Sequence, residues 1–254
     1  MTHTNHWQNK IAIVTGGSSG IGKATAVALE AQGAKVLITG RTEDSLREVA
    51  DGVDNLHFLQ IDSADHDSGK RIVDATLKAW GRIDLIVNNA GAGRPLPIEA
   101  YDPQVIADMA ATNIAAPSNL IKAAHSALAD SKGAVVNISS AVTRGAAPML
   151  AHYAATKAAL EHLTKSWAIE LAPKGIRVNT IAPGPVKSGA LTGMMGLPAD
   201  MAAQVEAQET AQVPLGRRGE PEDIVPWILQ LGHSSNAWMT GQVLTVDGGW
   251  SLRG

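Results

Sequence analysis

What the sequence lacks already narrows its chemistry. It contains no cysteine, so disulfide bonds, thiol catalysis and thiolate metal sites are excluded. Nowhere do about 18 apolar residues follow one another, and we therefore expect no membrane-spanning helix. The segment Met1–Lys10 is polar and has no apolar stretch of the signal-peptide type. Together these absences favour a cytoplasmic protein.

An excess of one charge is also missing. The formal net charge is -3, with 18% charged and 45% hydrophobic residues. This balance is typical of a folded globular protein rather than a disordered one. It provides no broad attraction to nucleic acid or to an anionic membrane, so we expect neither as a partner. The histidines show no metal-ligand spacing, and we predict no metal site.

Apolar, β-branched runs alternate along the chain with longer amphipathic segments. Several runs are continuously apolar, which is typical of strands covered on both faces. The alternation predicts right-handed crossovers. We therefore predict an α/β fold with a single Rossmann-type, doubly wound parallel sheet of about seven strands and helices on both faces. The predicted strands are Ile11–Thr15, Val36–Thr39, Leu56–Ile61, Ile83–Val87, Ala134–Ile138, Val178–Ile181 and Val243–Val246, and predicted helices include Lys23–Ala31, Ser68–Trp80, Pro103–Ala129 and Ala155–Leu171.

One segment, Gly184–Pro214, interrupts the alternation. Because no linker divides the chain, we predict that residues 1–254 form a single domain and that this segment is an insertion. Long connections in compact domains are often lids or binding loops, and its methionines have flexible side chains that adapt to ligand surfaces. We predict a substrate lid; the alternative is a pair of short surface helices without a catalytic role.

A glycine-rich turn, Thr15–Gly22, follows the first predicted strand and precedes a helix. In this context the backbone can approach a ligand closely and direct N–H groups and the helix dipole at a phosphate. Gly16 would form the tight turn, while Gly20 and Gly22 would permit close approach. The alternative is a flexible turn, but the strand before and the helix after it favour nucleotide binding.

The spacing of this turn, T-G-x-x-x-G-x-G, resembles that of the short-chain dehydrogenase/reductase family. Within that family, the sequence is similar to the classical type and to members such as the 3-oxoacyl-ACP reductases. It implies an oxidoreductase that uses a nicotinamide cofactor and acts on a small carbonyl or alcohol substrate. The similarity extends from Lys10 to Gly249, and its specificity comes from the combined order and spacing of several motifs.

The end of the second strand predicts the choice of cofactor. An acidic residue there would bind the adenosine ribose hydroxyls and repel a 2′-phosphate. This chain has Gly40 instead, followed by Arg41, whose guanidinium can pair with a phosphate and stack on adenine. Thr42 adds a hydroxyl. We therefore predict NADP(H); a solvated loop arginine is the alternative. Asp62 matches the family's adenine-contacting aspartate, and its alternative is a turn residue.

Tyr153 and Lys157 are four residues apart in a predicted helix, which places them on one face about one turn apart. An ammonium beside a phenol stabilises the phenolate, so we expect the pKa of Tyr153 to be lowered towards the working range. Such a tyrosine can exchange a proton with a carbonyl or alcohol oxygen. The alternative is an exposed helix pair.

The resemblance supplies two further catalytic candidates. Ser140 precedes Tyr153 by thirteen residues, which matches the family's catalytic serine, and its hydroxyl would orient the substrate oxygen. Ser139 then becomes a structural neighbour. Asn113 matches an asparagine that holds a water linking the lysine to solvent. For both serines the alternative is a strand-end turn.

Other matches complete the predicted cofactor site and suggest the assembly. Ser188 stands where relatives usually carry a threonine near the carboxamide. Family members are often tetrameric through the late region that holds Trp227, Trp238 and Trp250, which favours a homotetramer; core packing is the alternative for these residues. The resemblance assigns the cofactor to Gly16, Ser18, Ser19, Gly20, Ile21, Gly22, Arg41, Thr42, Asp62, Asn89, Ala90, Gly91, Tyr153, Lys157, Pro183, Gly184, Val186 and Ser188.

These observations lead to one prediction of function and one alternative. We predict an NADP(H)-dependent oxidoreductase that transfers a hydride between nicotinamide and a carbonyl or secondary alcohol through Ser140, Tyr153 and Lys157. The alternative is a regulatory protein that senses NADP(H) without chemistry. It would keep the glycine turn but would not need the three catalytic candidates together.

Overall fold

A computed structural model describes residues 7–252, so most of the N-terminal segment considered above lies outside the described residues. One seven-stranded parallel sheet has the order β3-β2-β1-β4-β5-β6-β7. The predicted fold class is confirmed. The strands are β1 (Ile11–Thr15), β2 (Lys35–Gly40), β3 (Leu56–Gln60), β4 (Leu85–Asn88), β5 (Ala134–Ile138), β6 (Arg177–Pro183) and β7 (Val243–Val246).

Helices cover both faces of the sheet. One apolar core lies beneath α1, α2 and α9, and a second lies beneath α3, α5 and α6. Burial on both faces explains why the central strands are continuously apolar. The helices are α1 (Gly20–Glu30), α2 (Glu43–Ala50), α3 (Ser68–Trp80), α4 (Pro103–Ala110), α5 (Ala116–Ser131), α6 (Ala151–Leu171), α7 (Ala190–Gly193), α8 (Ala199–Gln212) and α9 (Pro221–Gly232).

The strand order places a crevice at the carboxyl end of β1. From β1 the chain builds β2 and β3 to one side, and it then crosses to β4 on the other side. The loops after β1 and β4 therefore diverge to opposite faces, and ligands of open α/β sheets bind at such a switch point. Thr15 pairs with Thr39, and Asn88 pairs with Asn137, at this edge of the sheet.

A chain of buried polar side chains ties the end of β4 to β6. The Asn88 amide donates to the Asn137 carbonyl oxygen at 2.8 Å, and the Asn137 amide donates to the Thr164 hydroxyl at 2.8 Å. The Thr164 hydroxyl lies 2.7 Å from that of Thr180. Because buried polar groups are costly unless paired, this chain fixes α6 on the sheet in one position.

The structure departs from the sequence prediction in its helices. The predicted helix Pro103–Ala129 is divided by a π-helical turn, Ala111–Ala115, and α2 and α9 were not among the helices named from the sequence. The insertion Gly184–Pro214 contains α7, a helix of 4 residues, and α8, a helix of 14 residues. Between Trp7 and Leu252, no helix has both the length and the apolar character needed to cross a bilayer.

Candidate active site

The glycine-rich turn after β1 is closed to side chains. A Cβ at Gly22 would lie 2.2 Å from the Gly16 carbonyl oxygen. A Cβ at Gly20 would lie 2.7 Å from the Cβ of Ser188. The turn leads directly into α1, whose first N–H groups have no partners inside the helix. Such a helix N-terminus, approached by bare backbone, is suited to binding a phosphate.

Side chains at the ends of β1 and β4 hold this turn in place. The Asn89 amide nitrogen donates to the carbonyl oxygens of Thr15 at 2.9 Å and Gly16 at 3.0 Å. The Thr15 hydroxyl accepts from the backbone N–H groups of Asn89 at 3.1 Å and Ala90 at 3.0 Å. Asn89 and Ala90 thus lie beside the turn, and Asn89 braces it.

At the end of β2 the chain has a positively charged side chain, Arg41, rather than an acidic one. A Cβ at Gly40 would lie 3.6 Å from the Ser18 hydroxyl oxygen, so this position faces the turn. Arg41 is exposed, and its guanidinium has no hydrogen bond or ion pair within residues 7–252. Thr42 is also exposed. Asp62 is exposed and accepts from the Ala64 N–H at 2.9 Å, which is the turn role that was its alternative.

The π-helical turn explains how Asn113 reaches the interior. The extra residue in this turn rotates the asparagine inward, where it is 1% exposed. Its carbonyl oxygen accepts from the Ala92 N–H at 2.9 Å. Its amide nitrogen donates to the Ala92 carbonyl at 2.7 Å and to the Thr156 hydroxyl at 2.9 Å. Asn113 therefore connects the loop after β4 to α6, next to the lysine it was predicted to serve.

Three predicted catalytic side chains converge at the end of β5. Tyr153 is 7% exposed, and the neighbouring Ser140 hydroxyl acts to lower the pKa of its phenol. The Lys157 ammonium donates to the Ile138 carbonyl at 2.9 Å and lies 5.9 Å from the centroid of the tyrosine ring. A Cβ at Gly91 would lie 3.4 Å from the same ammonium nitrogen, which places the loop after β4 directly against it.

The prediction that the pKa of Tyr153 is lowered is wrong for this structure. Burial raises the pKa of Tyr153 to about 12, and the hydrogen bond from Ser140 offsets only part of that rise. Burial also lowers the pKa of Lys157 to about 8. The physical reason in both cases is that removal from water penalises the charged form, and burial cannot be inferred from helical spacing alone.

The loop after β6 completes the crevice. The Gly184 N–H donates to the Val246 carbonyl at 3.0 Å, and a Cβ at Gly184 would lie 2.5 Å from the Cβ of Asp247. Val186 is buried, and Ser188 lies against Gly20 of the glycine-rich turn Thr15–Gly22, which we call the phosphate turn. The turn after β1 and the loop after β6 therefore meet, as the proposed dinucleotide site requires.

Comparison with known proteins identifies the family to which this chain belongs. A family model described as enoyl-(acyl carrier protein) reductase matches residues 16–251. The chain is 33% identical to the 3-oxoacyl-[acyl-carrier-protein] reductase FabG of Thermotoga maritima, covering 95% of this chain and 98% of the relative. It is 35% identical to the 2,5-dichloro-2,5-cyclohexadiene-1,4-diol dehydrogenase LinX of Sphingobium indicum, covering 98% of both chains. The chain belongs to the short-chain dehydrogenase/reductase family.

Solved structures of the family agree with the fold. A short-chain dehydrogenase/reductase of unknown function from Caenorhabditis elegans, crystallised with cofactor, superposes with a TM-score of 0.90 at 35% identity over 97% of each chain. A short-chain type dehydrogenase/reductase from Mycobacterium marinum gives 0.89 at 30% identity over 98% of each chain. The protein is thus an oxidoreductase of the hydride-transfer type, which uses a nicotinamide cofactor and a small-molecule substrate.

The residues of this short-chain dehydrogenase/reductase fit the cofactor. The phosphate turn leaves no space for a side chain at Gly22. Ser188 packs against Gly20, and the Lys157 ammonium lies in the same crevice. Within the described part of the chain, no three histidine or acidic side chains gather where they could hold a metal ion.

The segment Gly184–Pro214 places two methionines next to Tyr153. A Cβ at Gly93 would lie 2.8 Å from the Met195 sulfur and 3.0 Å from Cδ2 of Tyr153. Met194 and Met195 pack against the small apolar cluster that includes Val142 and Tyr153. The segment contains one short helix, α7, and one of 14 residues, α8, and its methionines also lie next to Tyr153.

Two functional contacts were missed by the sequence analysis. Arg218, 5% exposed, donates to the Val186 carbonyl at 2.9 Å and pairs with Glu209 of α8 at 2.9 Å, which anchors the insertion to the loop after β6. Glu161 is buried beside the catalytic serine. Its spacing of four residues beyond Lys157 was a readable signal for the same helix face, whereas no local pattern indicated the role of Arg218.

Proposed function

We propose that this protein is an NADP(H)-dependent oxidoreductase that interconverts a small carbonyl compound and its secondary alcohol through Ser140, Tyr153 and Lys157. The observation that carries the proposal is the buried phenol of Tyr153, which lies beside Ser140 and the Lys157 ammonium at the carboxyl end of β5. A protein that only sensed NADP(H) would have no use for this convergence.

The chain's own residues provide proton transfer and orientation. When bound, the nicotinamide supplies or accepts the hydride. The substrate oxygen sits between the hydroxyls of Ser140 and Tyr153, which orient it and stabilise developing negative charge. Tyr153 holds its proton firmly and donates it to that oxygen, and the Lys157 ammonium stabilises the phenolate left behind. Water near Asn113 returns the proton from solvent.

The preference for NADP(H) rests on the end of β2. Gly40 places no carboxylate opposite Ser18, and the exposed guanidinium of Arg41 is free to bind an adenosine 2′-phosphate. Thr42 adds a hydroxyl, and Asp62 borders the adenine. The remaining cofactor contacts are those of the phosphate turn, of Asn89, Ala90 and Gly91, of Lys157, and of Pro183, Gly184, Val186 and Ser188 in the loop after β6.

The substrate binds between Tyr153 and the insertion. We treat residues 1–254 as one oxidoreductase domain and Gly184–Pro214 as its lid. Apolar side chains pack with Tyr153 here, among them Val142, Leu150 and Met195. This lining favours an uncharged carbonyl compound, since an unpaired charge is costly to bury there.

We further propose a homotetramer. Trp227 and Trp238 are exposed rather than packed in the core, as are the apolar side chains of Ile169 and Met239. Trp238 and Met239 lie shortly before β7, an edge of the described sheet, whose residues are only partly buried. Exposed large apolar side chains of this kind favour an interface between subunits.

A kinetic screen tests the function. NADPH and NADH are each supplied with a panel of apolar ketones, and cofactor oxidation is followed. We expect turnover with NADPH, and we expect Arg41→Ala to lower its kcat/KM by about 10- to 100-fold, the loss of a charged hydrogen-bonded pair, with the NADH value unchanged. Arg71→Ala, which removes an exposed arginine of α3, is the control. NADPH binding without oxidation of any ketone would establish the sensing alternative, and a preference for NADH would contradict the role of Arg41.

A further inference from the structure

A buried carboxylate that the mechanism above does not use lies one helical turn beyond the catalytic lysine. Glu161 is 8% exposed on α6, on the same face as Tyr153 and Lys157. Burying a carboxylate is costly unless it is hydrogen-bonded and paired. The partners that compensate this cost therefore reveal what the residue holds.

All the partners of Glu161 come from the segment Ser139–Arg144 at the end of β5. The Ser139 hydroxyl donates to Oε1 at 2.7 Å, and the Thr143 hydroxyl lies 2.8 Å from the same oxygen. Arg144 donates to Oε2 and forms an ion pair with it. A single carboxylate thus joins residues on both sides of Ser140 to the catalytic helix.

Residues of the same turn also form hydrogen bonds with the backbone and side chain of Ser140. The Thr143 hydroxyl is shared with the Ser140 carbonyl at 2.9 Å, and the Val142 N–H donates to the Ser140 hydroxyl at 3.3 Å. On the preceding side, the Ser139 hydroxyl also lies 3.3 Å from the Lys157 carbonyl. The position of the Ser140 hydroxyl relative to Tyr153 therefore depends on a short turn that is secured at both ends by Glu161.

We propose that Glu161 is a positioning residue for the reaction, which holds the turn Ser139–Arg144 so that the Ser140 hydroxyl stays directed at Tyr153 and the substrate oxygen. The proposal rests on the proposed function, because it needs Ser140 to act on the substrate. Glu161 touches no reacting atom, and its effect passes through Ser140. A displacement of that hydroxyl by about 1 Å would reduce turnover strongly, since catalysis depends on near-exact orientation.

A double-mutant cycle between Glu161 and Ser140 tests this. Glu161→Ala, Ser140→Ala and the double variant are assayed with NADPH and the ketone that the wild-type protein reduces best. We expect Glu161→Ala to lower kcat by about 10- to 100-fold and to leave the NADPH dissociation constant within about twofold of wild type. In the Ser140→Ala background, the same change should lower kcat by less than about twofold, because residues that act as a unit are not additive.

Two further variants separate positioning from general stability. Glu161→Gln keeps an oxygen that accepts from Ser139 and Thr143, so it should recover most of the kcat lost in Glu161→Ala. Glu170→Ala removes an exposed carboxylate from the same helix and should leave kcat unchanged. Should Glu161→Ala fail to fold, Thr143→Ala, which removes the hydroxyl shared by Glu161 and Ser140, is carried through the same cycle with the same expectation.

The outcomes distinguish this proposal from the proposed function. Full turnover in Ser140→Ala would refute the catalytic assignment of Ser140 and the role of Glu161 with it. Loss of turnover in Ser140→Ala, combined with wild-type kcat in Glu161→Ala, would overturn the positioning role alone. Additive losses in the double variant would also overturn it, because they would show that Glu161 acts independently of Ser140.

Discussion

The phosphate turn and the lid differ most clearly at their glycines. In the turn, a Cβ at Gly22 would come within 2.2 Å of backbone, whereas in the lid a Cβ at Gly189, Gly193 or Gly196 would meet nothing within 4 Å. The first region is packed so closely that the absence of a side chain is a structural requirement. The second has space around it, so its glycines provide backbone freedom instead.

Polar contacts show the same contrast. Around the catalytic helix, the chain from Asn88 to Thr180 and the cluster around Glu161 are built from buried, paired groups. In α8 of the lid, Ala202 is the buried residue, and the main polar attachment is the pair of Glu206 and Glu209 with Arg218. Under the proposed function, the fixed region binds the cofactor and transfers the proton, while the loosely attached region contacts the substrate.

The sharpest test of this comparison adds one methyl group to each region. Gly22→Ala places a Cβ against the Gly16 carbonyl, so we expect NADPH binding and turnover to fall by about 10- to 100-fold, the scale of the 1–3 kcal/mol cost of forcing an extra carbon into a filled site. Gly193→Ala, whose Cβ would enter open space, should leave both within about twofold. Calorimetric binding of NADPH measures the difference, and comparable losses in the two variants would remove the contrast.

The buried lysine predicts a pH dependence that originates in the fixed region. Because burial lowers the pKa of Lys157 to about 8 and raises that of Tyr153 to about 12, the ammonium is lost above pH 8 while the phenol stays protonated. We expect kcat for ketone reduction to be level below that pH and to fall by about tenfold per unit above it. Lys165→Ala, which removes an exposed lysine of the same helix, should keep this profile. A level profile up to pH 10 would show that the ammonium is not needed.

We expect the smallest effect from a substitution in the lid. Met195→Ala empties space beside Gly93 and Tyr153, so we expect kcat/KM for bulky ketones to rise relative to small ones by about 3- to 10-fold, the scale of a changed apolar contact in a pocket. Met201→Ala, which shortens an exposed methionine of α8, should not alter this ratio. An unchanged ratio in Met195→Ala would place the substrate away from the insertion.

Strand positions were predictable because burial on both faces leaves long apolar runs, and the structure shifts their ends by at most two residues. The π-helical turn at Asn113 was not predictable from the sequence, because one extra residue in a helix does not produce a periodic pattern over so short a length. The helix α9 contains Pro226, which masks its pattern. The site motifs could be placed because they follow strands in a fixed order.

The electrostatics of the site could not be predicted in the same way. The spacing of Tyr153 and Lys157 was right, but the direction of the tyrosine pKa shift depends on how much water the fold removes. The spacing of Glu161 placed it on the helix face of Lys157, but its contacts with Ser139, Thr143 and Arg144 could be seen only in the fold. Sequence patterns identify the reacting groups, whereas their environment is a property of the tertiary structure.

The most direct measurement of the central claim is single-turnover ketone reduction by Tyr153→Phe loaded with NADPH. The chain has two tyrosines, so Tyr101→Phe, which changes the exposed one, is the matched control. We predict that Tyr153→Phe binds NADPH as the wild-type protein does and transfers hydride about 10²- to 10⁴-fold more slowly, the usual contribution of a general acid, while Tyr101→Phe reacts normally. Hydride transfer at the wild-type rate in Tyr153→Phe would contradict the account.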